Sequence, residues 1–212
     1  MRFDDAVRRL AVLPEPLPAP AMVLMPTIVG GDERLPRRTP PPGAGGRPAA
    51  VLVLLYPDAA GATRVVLTER SSRDGHHSGE VSFPGGKSEP EDPDLVATAL
   101  REAAEEVALD ADAAGLQVLG LLERFWIPVS DFEVTPVVAI ATRRPNLVAS
   151  PAEVARIVEP PMARFLPGAP IDIVERTIGA WPLRYGAYAV DGLSVWGATA
   201  RILSQLGAVL AG

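Results

Sequence analysis

From Leu95 to Leu109 the chain reads Leu-Val-Ala-Thr-Ala-Leu-Arg-Glu-Ala-Ala-Glu-Glu-Val-Ala-Leu, a helix with two unlike faces. At about 100° per residue, Glu105 and Glu106 fall at roughly −60° and +40° from Glu102, so three carboxylates share one side. Val96, Leu100, Ala103 and Val107 take the other side and give it to a core. Like charges three and four apart weaken an isolated helix by about 0.2–0.5 kcal/mol each, and a bound cation reverses that effect. The helix is expected to begin near Asp92 or Pro93 and to end near Leu109. Ahead of it, Gly85 and Gly86 let the backbone turn tightly and approach a ligand closely.

The chain's 212 residues, 48% hydrophobic and 22% charged, supply enough apolar surface for a substantial core. Ala49–Tyr56 is a continuous apolar run of strand length and is expected to be a buried strand. Arg64–Arg70 follows as a hairpin partner, and Glu80–Phe83 is short and extended because Pro84 restricts Phe83. Gly115–Ile127 and Phe132–Thr142 read as two further strands. Pro151–Val158 reads as a short helix entered from Ser150, Ala180–Val190 as a strand or hairpin, and Trp196–Leu210 as a closing helix. Strands interleaved with helices predict an α/β fold with a mixed sheet and helices on its faces.

At the N-terminus, Arg2–Leu13 reads as an amphipathic helix that caps the domain or joins a homodimer contact. Ten of the 23 prolines lie between Pro14 and Pro48, so an irregular arm is expected, held down in part by Met22–Met25. Residues 1–48 are therefore assigned to a helix and proline-rich arm, and residues 49–212 to the main domain.

With 26 acids against 20 bases and a formal charge of −6, no broad nucleic-acid footprint is expected. No apolar run reaches the roughly 18–20 residues that span a bilayer, and the start lacks the pattern of a signal peptide. A cytoplasmic protein is expected, consistent with the absence of cysteine.

Three carboxylates on one helical face offer hard oxygen ligands suited to Mg²⁺ or Mn²⁺, and such ions clamp diphosphates and acidify water. The Gly86 carbonyl is positioned to join them, and Arg101 to orient Glu102. Taken alone, Arg-Glu-x-x-Glu-Glu reads as a solvated acidic face, and the glycine turn ahead of it shifts the reading. Gly86-Lys87-Ser88 resembles the end of a P-loop, but Val81 stands where its first glycine belongs. His76 and His77, without cysteine, cannot build an ordinary structural zinc site. Trp126, Trp181 and Trp196 read as core residues, with stacking on an adenine as the alternative.

Together these residues resemble the Nudix box, in which Gly, five residues, Glu and seven residues precede Arg-Glu-apolar-x-Glu-Glu-x-Gly-apolar. Gly86, Arg101, Glu102, Ala103, Glu105, Glu106 and Leu109 match. Asp92 replaces the early Glu, one extra residue precedes Arg101, and Ala108 replaces the late Gly. The extra residue and Thr98-Ala99-Leu100-Arg101-Glu102 are similar to the coenzyme A pyrophosphatase branch. So are Val66-Leu67-Thr68-Glu69-Arg70-Ser71, Gly79 and Phe83-Pro84-Gly85-Gly86, although Gly75 stands where that motif has an arginine. Val134-Thr135-Pro136-Val137, Glu153-Val154 and Trp196–Ala200 also resemble its later segments.

The resemblance implies a Nudix-type α/β/α sandwich hydrolysing the diphosphate of coenzyme A or an acyl derivative with Mg²⁺ or Mn²⁺. The products are adenosine 3′,5′-bisphosphate and 4′-phosphopantetheine. It further implies Glu105 and Glu106 as metal ligands, Glu102 as ligand or general base, and Glu153 as a loop acid completing the site or the N-terminal acid of a short helix. Arg70, His77 and Lys87 are substrate-binding candidates, with Lys87 or Arg73 replacing the arginine lost at Gly75. Two alternatives accompany this reading: a Nudix hydrolase of ADP-ribose or NADH, and a non-catalytic nucleotide-binding regulator. Ala108 favours the regulator, since a side chain there would crowd the helix end.

Overall fold

The apolar run at Ala49–Tyr56 lies within strand β2 (Arg47–Pro57), the centre of a six-stranded mixed sheet. The computed structural model describes residues 1–30, 45–71, 80–178 and 181–212. Parallel to β2 runs β9 (Phe132–Ala141), and antiparallel to it run β3 (Thr63–Val65) and β6 (Gly85–Lys87). On its far side β9 pairs antiparallel with β7 (Leu116–Leu121) and β8 (Phe125–Ile127).

Alternation along the two central strands divides the core into two layers. Ala50, Leu52, Leu54, Val137 and Ala139 point to one face, where they meet Ala99, Ala103 and Val107 of α2 (Leu95–Val107) and Ala114 of α3 (Ala111–Ala114). Val53, Leu55, Val138 and Ile140 point to the other, against α1 (Phe3–Leu10) and α4 (Gly197–Ala211). Leu52, Leu54 and Leu55 are essentially inaccessible, each stabilising the fold by about 1.5–3 kcal/mol relative to exposure. This is the α/β/α sandwich with a mixed sheet expected from the sequence. Among the described residues no helix is long and apolar enough to cross a membrane.

Two smaller sheets flank it. One orders β10 (Val154–Val158), β4 (Leu67–Arg70) and β5 (Val81–Ser82); the other joins β1 (Thr27–Ile28), β12 (Trp181–Val190), β11 (Asp172–Ile178) and β13 (Leu193–Val195). Arg64–Arg70 is therefore not one strand. Val65 still pairs with Leu55, Val66 donates to the Leu54 carbonyl, and from Leu67 the chain turns to β10.

Pro151–Val158 is a turn and a strand rather than a helix. Pairing of Val154–Val158 with β4 outweighs the Ser-Pro start signal. Gly115–Ile127 divides into β7 and β8, and the edge strand Asp172–Ile178 lies where no strand was expected. In the arm, Leu24 alone of Met22–Met25 is fully buried, while Met22 and Val23 stay exposed. Thr27–Ile28 ties the arm to β12.

Candidate active site

Helix α2 starts two residues later than the sequence indicates. Asp94, not Asp92, is its N-cap and accepts from the Ala97 amide at 2.8 Å. This leaves Asp92 for another task. Its carboxylate accepts from the Glu89 amide at 2.9 Å, from Thr98 Oγ1 at 2.9 Å, and from Arg101 Nε and Nη2 at 3.0 Å each. That two-pronged pairing holds the Asp92 carboxyl well below the usual carboxylate range and raises the Arg101 pKa. The sequence marked Asp92 as a substitute for a glutamate but not as the anchor of Arg101.

So fixed, Arg101 reaches three more oxygens. Nη1 donates to Glu102 Oε1 at 3.0 Å and Glu105 Oε2 at 3.2 Å, and Nη2 donates to the Lys87 carbonyl at 3.1 Å. The guanidinium lies between two like charges and orients Glu102, as its position in the sequence suggested.

The helix does not present its three acids equally. The Glu105 side chain is 55% exposed and the Glu102 side chain 14%, whereas Glu106 as a residue is only 5% exposed. Strand β6 causes this inequality by rising beside α2. Glu106 Oε2 accepts from the Gly85 amide at 3.1 Å, and the Glu102 carboxyl lies against Gly86. A Cβ on Gly86 would sit 2.6 Å from the Glu102 carboxyl carbon, so the close approach needs glycine. Gly85 has φ +153°, and a Cβ there would lie 2.4 Å from the Ala50 carbonyl oxygen.

Burial is the main cause that raises the pKa of both inner carboxyls. Glu106 is pushed up to about 7, against the opposing pull of the Gly85 amide and the charge of Arg70; Glu102 and Glu153 add to the rise. Glu102 is raised by burial more than Arg101 lowers it. Two largely desolvated carboxyls packed from α2 against one diglycine form a site that a cation would stabilise. Among the described residues no three acids or histidines converge into a ready ligand cluster, and Glu105 pairs with Arg101 instead.

Arg70 is half-buried at the end of β4, opposite Val154, and its charge reaches Glu106. Glu153 precedes β10 rather than opening a helix, which removes the helix-dipole account of it; its charge acts on both Glu102 and Glu106. The Lys87 side chain is 66% exposed and pairs with Glu89 at 3.7 Å. His76, His77, Arg73 and Gly75 lie outside the described residues, as does the side chain of Trp181. Trp196 stacks on the buried Tyr185, centroids 4.6 Å apart, and both Trp196 and Trp126 are half-buried and belong to neither core cluster.

Ala108 closes the helix in the left-handed region, with φ 51° and ψ 38°. The Leu109 amide returns to the Ala103 carbonyl at 3.3 Å. Ala108 is exposed, so its substitution for glycine strains a dihedral without crowding the helix end.

A family model for the NUDIX domain matches residues 46–161. The chain is 38% identical over 165 residues to the uncharacterized Nudix hydrolase NudL of Citrobacter koseri, covering 76% of this chain and 81% of that one. It is 44% identical over 120 residues to the chloroplastic Nudix hydrolase 22 of Arabidopsis thaliana, covering 56% of this chain and 39% of that one. The chain thus spans well under half the length of the plant relative. The crystal structure of RenU, a Nudix hydrolase from M. Smegmatis, is similar with a TM-score of 0.49 and 25% identity, over 60% of this chain and 80% of that one. The matched region contains the glycine turn and the glutamate helix whole, and the chain belongs to the Nudix hydrolase family.

Proposed function

We propose that the chain hydrolyses the diphosphate bond of coenzyme A or an acyl-coenzyme A, giving adenosine 3′,5′-bisphosphate and 4′-phosphopantetheine. The observation that carries the chemistry is the placement of Glu102 and Glu106, both partly desolvated, from one face of α2 against Gly86 and Gly85. The choice of coenzyme A rests on the two linked motifs at Val66–Gly86 and Thr98–Glu102.

Nudix hydrolases generally use divalent ions, and the donor set here fits a hard one. Glu102, Glu105 and Glu106 with the Gly86 carbonyl would hold Mg²⁺ or Mn²⁺, which neutralises diphosphate charge and acidifies water when bound. Glu105 is exposed enough to leave Arg101 by a rotamer change. Asp92 keeps Arg101 in place, and Arg101 keeps Glu102 aimed at the turn. Burial raises the pKa of Glu102 and Glu106 in the metal-free protein, and a bound cation would favour the ionised form of both. Arg70 supplies positive charge beside Glu106 and is placed to take a substrate phosphate. Glu153 stands across from it as a further acid at the same site.

A panel of coenzyme A, ADP-ribose and NADH, each incubated with Mg²⁺ or Mn²⁺ and read by mass spectrometry, tests the substrate. Coenzyme A is expected to be cleaved with the highest kcat/KM. Turnover of ADP-ribose alone would sink the coenzyme A assignment, and binding without any turnover would favour a regulator.

A further inference from the structure

Strand β11 (Asp172–Ile178) ends its sheet. It pairs with β12 from Asp172 to Ile178, and among the described residues no strand pairs with its other edge. No proline interrupts it, so every second residue turns a backbone donor and acceptor outward.

The two faces of the strand differ. Ile173 and Glu175 share one face with Gly186 and Arg184 of β12, and Glu175 pairs there with Arg184 at 3.7 Å. Asp172, Val174 and Arg176 share the other face with Ala187, Tyr185 and Leu183. On that face Tyr185 and Ala187 are buried and Tyr185 stacks on Trp196, which leaves Val174 half-buried at the margin of an apolar strip. Asp172 and Arg176 flank Val174, and both are exposed. Neither side chain has an ion-pair partner among the described residues, whereas Glu175 has one. They stand about 13 Å apart along the strand, too far to pair with each other.

Charged side chains ordinarily guard an edge against pairing. The order of these charges instead makes β11 complementary to itself. When two copies of a strand pair antiparallel about a two-fold axis, each face meets the same face, so one residue lies on the axis opposite its own copy. Glu175 on the axis would set acid against acid, and Arg176 would set base against base. Val174 on the axis sets valine against valine, and Asp172 of each copy then faces Arg176 of the other. Helix α1, the dimer contact that the sequence suggested, already buries Phe3, Ala6 and Leu10 against its own chain.

We infer that two copies of this chain associate through β11, in a two-fold dimer centred on Val174 and closed by two Asp172–Arg176 ion pairs. The β1-β12-β11 sheets of both copies then form one continuous sheet. The inference is independent of the substrate.

Sedimentation velocity of the full chain at micromolar to sub-millimolar concentration should show a monomer–dimer equilibrium. Arg176→Glu sets an acid against Asp172 in both places and should raise the dimer dissociation constant by about tenfold or more. Combining Asp172→Arg with Arg176→Asp should restore it to within about threefold of the parent. Both positions are exposed, so thermal melts of the variants at monomeric concentration should match the parent. The chain has no cysteine, which lets single thiols read the register. With a mild oxidant Val174→Cys should give a covalent dimer, because facing Cα atoms on antiparallel strands lie about 4.5–5.5 Å apart, within disulfide reach. Thr177→Cys should not, since its copy would lie about 20 Å away along the strands. A monomer at every concentration, the result expected if the edge serves a strand of a different protein, would overturn the inference. So would a dimer indifferent to the charge reversal, or one cross-linked as readily through Thr177→Cys as through Val174→Cys.

Discussion

Replacing Glu106 with Gln tests the electrostatics of the site apart from its chemistry. In the metal-free protein the Glu106 carboxyl titrates at about 7 rather than at 4.5. Between those values the folded state retains a proton that the unfolded chain has released. The parent's stability therefore falls as pH rises through that window. A shift from 4.5 to about 7 corresponds to about 3 kcal/mol at its upper limit. Gln resembles the protonated acid in size and still offers an oxygen to the Gly85 amide, so parent and variant should match near pH 4.5. At pH 8 in EDTA the variant should be more stable by about 2–3 kcal/mol, or roughly 4–12 °C in Tm for a chain of this size. Urea denaturation of both proteins at several pH values reads the difference directly. Mg²⁺ or Mn²⁺ should then stabilise the parent more than the variant, and the variant should lose hydrolysis. A stability difference independent of pH, or a variant weaker than the parent at pH 8, would refute the claim that Glu106 is held charged against its burial.

The glycine turn and the helix end yield two further outcomes. Gly86→Ala should fold, since only the end of the Glu102 side chain obstructs its Cβ, yet lose about 100-fold or more in kcat as Glu102 is displaced; Gly85→Ala should fail to fold because backbone obstructs it. Circular dichroism with a coenzyme A assay separates the two, and an active Gly86→Ala would contradict the packing argument. Ala108→Gly should raise stability by about 0.5–1 kcal/mol with activity unchanged, because glycine relieves the left-handed strain at some cost in unfolded-state entropy. A destabilised Ala108→Gly in thermal melts would show that the dihedral strain is not the dominant effect.

The parts of this fold that depend on local periodicity were legible in the sequence, and the parts that depend on pairing were not. Helix α2 and strand β2 carry their faces in the order of their residues, so both were found with boundary errors of a few residues. The helix boundary moved because Asp92 and Asp94 are both acceptable caps. Only the closeness of Arg101 to Asp92 decides between them. Ser150-Pro151 resembled a helix start, yet β4 stood waiting for a partner and drew Val154–Val158 into a strand. The change of sheets at Val66 left no local trace, since Val65, Val66 and Leu67 are all fully buried.

The same division runs through the site. Helical spacing placed the three glutamates on one side, and the motif named Gly86 and Arg101. Spacing could not reveal that β6 would bury Glu106 while leaving Glu105 in water, because that inequality comes from a strand packed against one edge of the helix. Trp126 was read as a core residue on its apolar character. It is half-buried and packs in neither core cluster, which its apolar character alone did not reveal.

Coenzyme A turnover measured against Mn²⁺ concentration, with the parent beside Glu106→Gln and 4′-phosphopantetheine detected by mass spectrometry, reads the metal dependence and the glutamate's part in it together. Product from the parent is expected to rise with Mn²⁺, to disappear in EDTA, and to be absent from the variant at every concentration. Product that persists in EDTA, or equal turnover by parent and variant, would contradict the metal-dependent site.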